Sequence, residues 1–306
     1  MIKSILITGA NGGLGKECAR QLALQPGTER LYLGCRNEER AKAAKSDLEQ
    51  STGKSVFEIV LLDVSSLNSV RSAVASLNEP VDALVMNAGG MGGKNFGDKT
   101  EDGVTRMFAV NLLGHVVLAE ELLRAGKLTT VALIAGSEAA RGVPKLGMKR
   151  PNLKTSSVDE FESIADGSFF GNNSDPMVPY GPIKYMAALW MSSLARTYPD
   201  IRFVTMSPGG TGGTDIMRDL PPFKKFMFTH VGLRLMPLLC LMHELEVGAR
   251  RLVDGLNDES YESGVFYASK QPVLTGPVVD QGTIFEDLNN KTFQDNANEA
   301  IHRFIH

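Results

Sequence analysis

The chain has 306 residues, of which 43% are hydrophobic and 22% charged, as in an ordinary folded globular protein. A formal net charge of −3 gives no reason to expect a nucleic-acid partner. Three widely spaced cysteines, Cys18, Cys35 and Cys240, form no CxxC pair and argue against a disulfide framework or a structural zinc site. The sequence opens MIKSILIT, which predicts a strand at once, so we expect no signal peptide and a cytoplasmic protein.

Short apolar runs alternate with helical patterns along the chain. The predicted strands are Ile2–Thr8, Arg30–Cys35, Val56–Leu62, Ala83–Asn87, Thr130–Ala135 and Arg202–Met206. The predicted helices between them are Lys16–Leu24, Glu38–Gln50, Leu67–Leu77 and Gly103–Leu123. This alternation predicts an α/β fold with a doubly wound, mostly parallel Rossmann-type sheet of about seven strands and helices on both faces. We expect a single catalytic domain over residues 1–306.

The first predicted strand is followed by the glycine-rich stretch TGANGGLG, at residues 8–15. A glycine-rich turn between a strand and a helix lets backbone N–H groups approach a pyrophosphate at the helix N-terminus. A tight turn that needs glycine only for its dihedral angles is the plainer alternative. The spacing fits both TGxxxGxG, through Gly9, Gly13 and Gly15, and GxxGxxG, through Gly9, Gly12 and Gly15.

The second predicted strand ends at Cys35 and is followed by Arg36. An NAD-binding site usually places a carboxylate here to bind the ribose 2′-OH. A guanidinium instead binds a 2′-phosphate through paired, charge-assisted hydrogen bonds. The sequence therefore predicts NADP(H) rather than NAD(H), the alternative being that Arg36 is only the exposed first residue of a helix.

Residues 141–179 interrupt the alternation of strands and helices. They are rich in Gly, Pro, Ser and Asn, and only Val158–Ala165 has the pattern of a short helix. A domain boundary is one explanation, but strand and helix patterns resume at Tyr180. We therefore interpret residues 141–179 as an insertion, which in a compact domain is usually functional or mobile.

Tyr180 and Lys184 form a YxxxK pattern at the start of a predicted helix, YGPIKYMAALWMSSLAR. Pro182 is expected in the first turn of that helix, where its missing N–H costs nothing. Residues i and i+4 share a helix face, so both side chains can point into one cleft. The ammonium of Lys184 is expected to lower the pKa of Tyr180 from about 10 by roughly two or three units. The same spacing also occurs by chance in many helices.

The segment after the sixth predicted strand begins SPGGTGGT and then becomes apolar and aromatic. We predict a substrate lid over residues 209–244, with glycine hinges and an adaptable apolar wall. The residues of that wall are Phe223, Phe226, Met227, Phe228, Leu233 and Met236. Two amphipathic helices packed on the core are the alternative, and a membrane-surface helix bearing Lys224, Lys225 and Arg234 is disfavoured. The apolar run at Val231–Met242 is too short to span a bilayer.

These features, in this order, resemble the short-chain dehydrogenase/reductase family. TGxxxGxG is typical of its ordinary members, whereas GxxGxxG marks longer relatives that act on nucleotide sugars. Further matches to the ordinary members are Asp63-Val64 after the third strand, Asn87-Ala88-Gly89 after the fourth, Asn111 in VNLLGHVVL, Ser137 at the end of VALIAGS, and the YxxxK pair. Together they cover most of the chain, and the combination is more specific than any one element.

The resemblance implies a catalytic tetrad of Asn111, Ser137, Tyr180 and Lys184. In the family the serine hydrogen-bonds the substrate carbonyl, the tyrosine donates the proton, the lysine binds the nicotinamide ribose, and the asparagine holds a water. The implied cofactor-binding residues are Gly9, Asn11, Gly12, Gly13, Leu14, Gly15, Arg36, Asp63, Val64, Asn87, Ala88, Gly89, Tyr180, Lys184, Pro208 and Gly209. Taken singly, the serine would also suit a solvated loop and the asparagine a helix cap or a loop.

Within the family, the chain resembles the protochlorophyllide reductases and the retinol dehydrogenases. The insertion before Tyr180 resembles both the monomeric carbonyl reductases and the protochlorophyllide reductases. The PG-to-Thr spacing in SPGGTGGT and the stretch ending SGVFYASK are similar to the protochlorophyllide reductases. Met86 departs from their cysteine, as NAGGMGG does from NAAVY and YGPIK from YKDSK. The resemblance therefore implies an NADP(H)-dependent oxidoreductase that transfers hydride to or from a carbonyl, alcohol or polarised C=C of a bulky hydrophobic substrate.

Other functions remain open at the level of the sequence. A light-dependent protochlorophyllide reductase is the first alternative, and a non-catalytic NADP(H)-binding redox sensor is an alternative of another class. A nucleotide-sugar epimerase is disfavoured by the NAG motif and Arg36.

Neither a metal nor a strong self-association is expected. The histidines at 115, 230, 243, 302 and 306 have no HExxH or similar ligand spacing, so we interpret them as structural or surface residues. An insertion ahead of the tyrosine helix is expected to block the helix pairing by which many relatives associate. We therefore expect a monomer or a weak homo-oligomer whose partner is a small-molecule, hydrophobic substrate.

Overall fold

The computed structural model describes residues 2–212 and 242–306. Residues 213–241 lie outside the described residues. That range holds most of the predicted lid, including its apolar wall, together with His230 and Cys240.

The described residues form one mixed sheet. Its strands are β1 Ser4–Thr8, β2 Arg30–Cys35, β3 Phe57–Leu61, β4 Val81–Met86, β5 Leu128–Ala135, β6 Arg202–Met206, β7 Phe266–Ser269 and β8 Val278–Asp280. The spatial order is β3-β2-β1-β4-β5-β6-β7-β8, and the chain direction of the strands is the same from β3 to β7. The last strand, β8, runs antiparallel to β7. The fold prediction is confirmed, but the sheet has an edge strand beyond the seven expected, since β8 has only three residues and no alternation to recognise.

Helices cover both faces of this sheet. They are α1 Gly13–Ala23, α2 Glu38–Thr52, α3 Leu67–Ser76, α4 Arg106–Phe108, α5 Gly114–Arg124, α6 Val158–Asp166, α7 Met177–Thr197, α8 Leu245–Asn257 and α9 Lys291–His302. One apolar cluster lies between the sheet and α1, α2 and α8, and a second between the sheet and α3, α5 and α7. Ile5 and Ile7 of β1 belong to the first cluster and Leu6 to the second, so alternate side chains of one strand supply both cores.

Two predicted helices begin or continue differently in the structure. The predicted helix Gly103–Leu123 is divided into α4, a π-helical turn at Ala109–Leu113, and α5. Helix α7 begins at Met177, three residues before Tyr180, and Asp175 Oδ1 accepts the Met177 N–H at 3.1 Å.

Pro182 consequently lies inside α7 and not in its first turn, so that prediction is wrong. Its ring removes the N–H that would reach the carbonyl of Val178. Val178 is 41% exposed, so water can reach that end of the helix.

Residues 141–179 contain α6, as the sequence predicts, together with short 3₁₀ turns at Pro144–Leu146 and Ser168–Phe170. Helix α6 buries Phe161 and Ile164 against the cluster shared with α7, so this segment is packed on the domain. None of the helices within residues 2–212 and 242–306 combines the length and the apolar character needed to cross a membrane.

Candidate active site

The glycine loop between β1 and α1 is built for close backbone approach. Gly9 and Gly13 have φ values of 68° and 50°, in the left-handed region that favours glycine. A Cβ on Gly15 would lie 2.5 Å from the Gly9 carbonyl oxygen, so this residue packs α1 against the turn. A Cβ on Gly12, the residue that precedes α1, would meet nothing within 4 Å, which leaves open space at the helix N-terminus.

The ends of β1 and β4 are joined at the switch point of the sheet, where the strand order reverses. The Thr8 hydroxyl accepts the backbone N–H groups of Asn87 and Ala88, both at 2.9 Å. Asn87 returns a hydrogen bond from its side-chain amide to the Thr8 carbonyl at 3.0 Å. His115 Nε2 lies 3.0 Å from the same hydroxyl and is fully buried.

A cavity of about 1310 Å³ opens at this edge of the sheet. It exceeds the roughly 300–1,000 Å³ of a usual single-ligand pocket. The predicted site residues that line it are Gly9, Asn11, Gly12, Gly13, Leu14, Arg36, Asp63, Val64, Asn87, Ala88, Gly89, Asn111, Ser137, Tyr180, Lys184, Pro208 and Gly209. Gly15 lies behind the cavity wall, where it serves packing.

The end of β2 lacks a carboxylate. Cys35 is buried, its sulfur takes backbone N–H groups from Ala10 and Asn11, and burial raises the pKa of its thiol to about 11. Arg36 is exposed at the cavity edge, and Asn37 and Arg40 line the cavity beside it. This corner is therefore cationic, which suits a phosphate better than a ribose hydroxyl.

Asn111 lies in the π-helical turn and is held by its amide. Its Nδ2 donates to the carbonyls of Gly90 and Met107 at 2.8 and 2.9 Å, and its Oδ1 accepts the Gly90 N–H at 3.0 Å. A Cβ on Gly89 would lie 2.6 Å from Asn111 Oδ1 and 3.8 Å from Lys184 Nζ, so only glycine fits between them. A π-helical turn of this kind is frequent at functional sites.

The other three predicted tetrad residues meet at the same wall. Ser137 ends the loop after β5 and hydrogen-bonds the Tyr180 hydroxyl. Lys184 Nζ lies 5.7 Å from the centroid of the Tyr180 ring and donates to the Ala135 carbonyl at 2.8 Å. Tyr180 and Lys184 are 6% and 4% exposed, so the pair is desolvated.

Burial shifts the pKa values of both members of this pair. Desolvation raises the pKa of Tyr180 to about 12, opposed by the Ser137 hydrogen bond and reinforced by the nearby Glu138 carboxylate. Desolvation also lowers the pKa of Lys184 to about 8. The prediction that the Lys184 ammonium lowers the pKa of Tyr180 is therefore wrong. Burial of the phenol outweighs the attraction of that ammonium, which already donates a hydrogen bond to the Ala135 carbonyl.

Several wall residues were not predicted from the sequence. Arg40 lies in the first turn of α2, four residues after Arg36, and this short spacing is visible in the sequence. Glu138 directly follows Ser137, but nothing in the sequence shows that it is buried. An apolar part of the wall comes from separate segments and has no common pattern: Met91, Met107, Val110, Val143, Leu146, Met148, Met242 and Leu274.

The family model described as short chain dehydrogenase matches residues 3–144. Protochlorophyllide reductase B, chloroplastic, of Oryza sativa subsp. japonica is 30% identical in a 292-residue alignment that covers 86% of this chain and 68% of that protein. The chain belongs to the short-chain dehydrogenase/reductase family. It is thus a member of an oxidoreductase family, and the predicted resemblance is confirmed.

Of two further similarities, the first is one of sequence and covers part of the chain, and the second is one of fold. Human retinol dehydrogenase 13 is 39% identical over 124 residues, which are 40% of this chain but only 36% of that protein. The L-sorbose reductase of Gluconobacter frateurii, in complex with NADPH and L-sorbose, superposes with a TM-score of 0.63 at 18% identity, over 90% of this chain and 97% of that one. The second likeness shows the fold alone.

Proposed function

We propose that this family member is an NADPH-dependent reductase of a bulky hydrophobic carbonyl compound or polarised alkene. The observation that carries the proposal is the meeting of Asn111, Ser137, Tyr180 and Lys184 at one wall of the cavity that the glycine loop opens. A dinucleotide fits the glycine loop, because Gly12 leaves open space at the N-terminus of α1 and Gly9 allows close backbone approach.

Each wall residue then has a chemical role. Bound NADPH supplies a hydride to the substrate. Ser137 hydrogen-bonds the substrate oxygen and orients it toward Tyr180. Tyr180, whose pKa of about 12 keeps it a neutral phenol at physiological pH, donates its proton to that oxygen. Lys184 binds the ribose, and Asn111 fixes the turn at Gly90 beside it.

The preference for NADPH rests on the end of β2. The position that would carry a carboxylate in an NAD site is the neutral, buried Cys35. Arg36 and Arg40 border the cavity there and provide two guanidinium groups for a 2′-phosphate.

The substrate class rests on the apolar part of the wall. Four methionines line it, at positions 91, 107, 148 and 242, and methionine surfaces adapt to irregular apolar ligands. Val143, Leu146 and Met148 belong to residues 141–179. We accordingly propose that this segment is an insertion in a single catalytic domain and that it shapes the substrate pocket.

The test uses purified chain with NADPH or NADH and matched series of small polar and bulky apolar ketones, aldehydes and enones. We expect NADPH oxidation with the bulky apolar compounds and weaker use of NADH. NADPH binding without turnover of any compound would favour the redox sensor instead. Failure to bind either dinucleotide would contradict the proposal altogether.

Light-dependent protochlorophyllide reduction is a second candidate, favoured by the 30% identity over 292 residues to the rice protein. It is tested by adding protochlorophyllide and NADPH in darkness and under illumination. Product formed only in the light would favour this candidate, whereas NADPH-dependent turnover of ordinary carbonyl compounds in the dark favours the reductase proposed above.

A further inference from the structure

We propose that Glu138 is a positioning residue that ties the carboxyl ends of β5, β6 and β7 together around the candidate nicotinamide pocket. The inference rests on the proposed function for its catalytic meaning. Glu138 directly follows Ser137 and is 4% exposed. A carboxylate so far from water needs partners for both of its oxygens.

The two oxygens bind two different strand ends. Oε2 accepts the Ser207 hydroxyl at 2.6 Å, and Ser207 Oγ in turn accepts the Gly209 N–H at 3.0 Å. Oε1 accepts the backbone N–H of Ser269 at 3.0 Å. One side chain on the β5 loop therefore fixes both the Pro208-Gly209 turn after β6 and the last residue of β7.

Ser269 connects this carboxylate to two buried guanidinium groups. Arg251 Nη1 donates to Ser269 Oγ at 2.8 Å, and Arg141 Nη2 donates to the Ser269 carbonyl at 2.8 Å. Arg141 also donates through Nε to Gln281 Oε1 at 2.6 Å. The guanidinium groups bind Ser269 and not the Glu138 carboxylate, so the two carboxylate oxygens accept only from the strand ends. The positive charges of Arg141 and Arg251 nevertheless offset the cost of burying the Glu138 charge.

The charged and titratable groups around Glu138 come from four elements. Arg141 lies on the same loop, Arg251 on α8, His243 just before α8, and Tyr180 on α7. The negative charge of Glu138 stabilises the charged form of the arginines but disfavours the charged form of Tyr180, its phenolate. Glu138 thus reinforces the neutral phenol that acts as proton donor, besides holding Ser137 and Gly209 in place.

The experiment compares Glu138→Gln with Glu138→Asp and Ser207→Ala, and uses Glu286→Gln, an exposed glutamate, as the matched control. Glutamine keeps the shape but cannot accept from both donors, because one of its ends is an NH₂ group. Hydrogen exchange of residues 207–210 is measured on the free protein, and the NADPH Kd and the pH profile of kcat on the active one.

We expect Glu138→Gln and Ser207→Ala to exchange faster at residues 207–210 and to bind NADPH about tenfold more weakly, as for the loss of a hydrogen bond to a buried charge. As the pH rises, kcat should begin to fall at a lower pH in Glu138→Gln than in the wild type. Ser207→Ala and Glu138→Asp retain the negative charge and should not show this shift. Glu286→Gln should match the wild type in all three.

Unchanged exchange and an unchanged pH profile in a folded Glu138→Gln protein would overturn the proposal. If that variant does not fold, unchanged exchange and NADPH binding in Ser207→Ala would overturn it. The exchange measurement needs no cofactor and no substrate. Even if the proposed reductase function is wrong, this measurement therefore still shows whether Glu138 joins the strand ends.

Discussion

At the scale of single residues, desolvation raises the pKa of the candidate catalytic residue Tyr180. A phenol with a pKa of about 12 gives up its proton only to a stronger base, such as the alkoxide that forms as a carbonyl is reduced. In the free protein Tyr180 is therefore in the protonated form that the proposed reduction of a carbonyl group requires.

Tyr180→Phe removes the proposed proton donor while keeping the ring that packs the wall. We expect kcat to fall by about 10²–10⁴. NADPH affinity should change little, since only a hydroxyl is lost from the cavity wall. Steady-state kinetics and a fluorescence titration measure the two quantities, with Tyr198→Phe on the surface as control. Turnover above about a tenth of the wild-type rate would remove Tyr180 from the mechanism.

Arg36→Asp tests the cofactor preference. The substitution removes a 2′-phosphate partner and places a carboxylate beside a dianion. The affinity for NADPH relative to NADH should fall at least about tenfold, which is roughly 1.4 kcal/mol. Titration of both dinucleotides measures this ratio, and Arg124→Asp, on an exposed turn of α5, provides the control. An unchanged ratio would show that Arg36 does not bind the 2′-phosphate.

At the scale of elements, periodicity identified every strand from β1 to β6, and β2 and β6 have the predicted bounds. Their patterns are local, because each strand is a short and mainly apolar run that can be recognised without its neighbours. The π-helical turn at Ala109–Leu113 was not predictable in the same way. It contains Asn111, whose side chain binds the distant Gly90, and a helical period carries no record of such a long-range contact.

The candidate site divides along the same line. Motifs predicted its glycine loop and its tetrad, because those residues are close in sequence to a strand end or share one helix. The carboxylate of Glu138 and the apolar wall could not be predicted. They depend on which distant segments meet, and Ser269 lies 131 residues from Glu138.

The contact between α5 and the loop after β3 yields a prediction at this scale. A Cβ on Gly114 would lie 1.9 Å from the Val64 carbonyl oxygen, so α5 must move away to admit alanine. We expect Gly114→Ala to lower the free energy of unfolding by about 1–3 kcal/mol, as overpacking does. Gly97→Ala is the matched control, because a Cβ there meets nothing within 4 Å. Urea unfolding measures both, and equal stability of the two variants would contradict the structure.

At the scale of the whole molecule, the switch point carries both the site and a pH-dependent part of the stability. His115 on α5 bonds Thr8 at the end of β1, which in turn holds the residues after β4. Burial lowers the pKa of His115 from 6.5 to about 3, and the Lys184 ammonium adds to the effect, against a hydrogen bond to the Asn111 backbone. The residue that joins these strands is therefore neutral in the folded protein.

The sign of its contribution follows from proton uptake. Below pH 6.5 the unfolded chain protonates His115 while the folded protein does not, so this stabilisation is present above that pH and is lost as the pH falls. Between pH 7 and pH 5 the loss amounts to about 2 kcal/mol. His115→Gln offers Thr8 a neutral partner at every pH, so the variant should be spared that loss.

Urea unfolding of wild type and His115→Gln at pH 7 and pH 5 tests this, and His302→Gln is the control of opposite sign. The hydrogen bond to Glu120 raises the pKa of His302, so its stabilisation is present below pH 6.5 and is lost as the pH rises. His302→Gln should therefore cost more stability at pH 5 than at pH 7, whereas His115→Gln should cost less at pH 5. If both variants showed the same pH dependence, a general effect of acid would explain the data, and His115 would not be the group that couples protonation to the switch point.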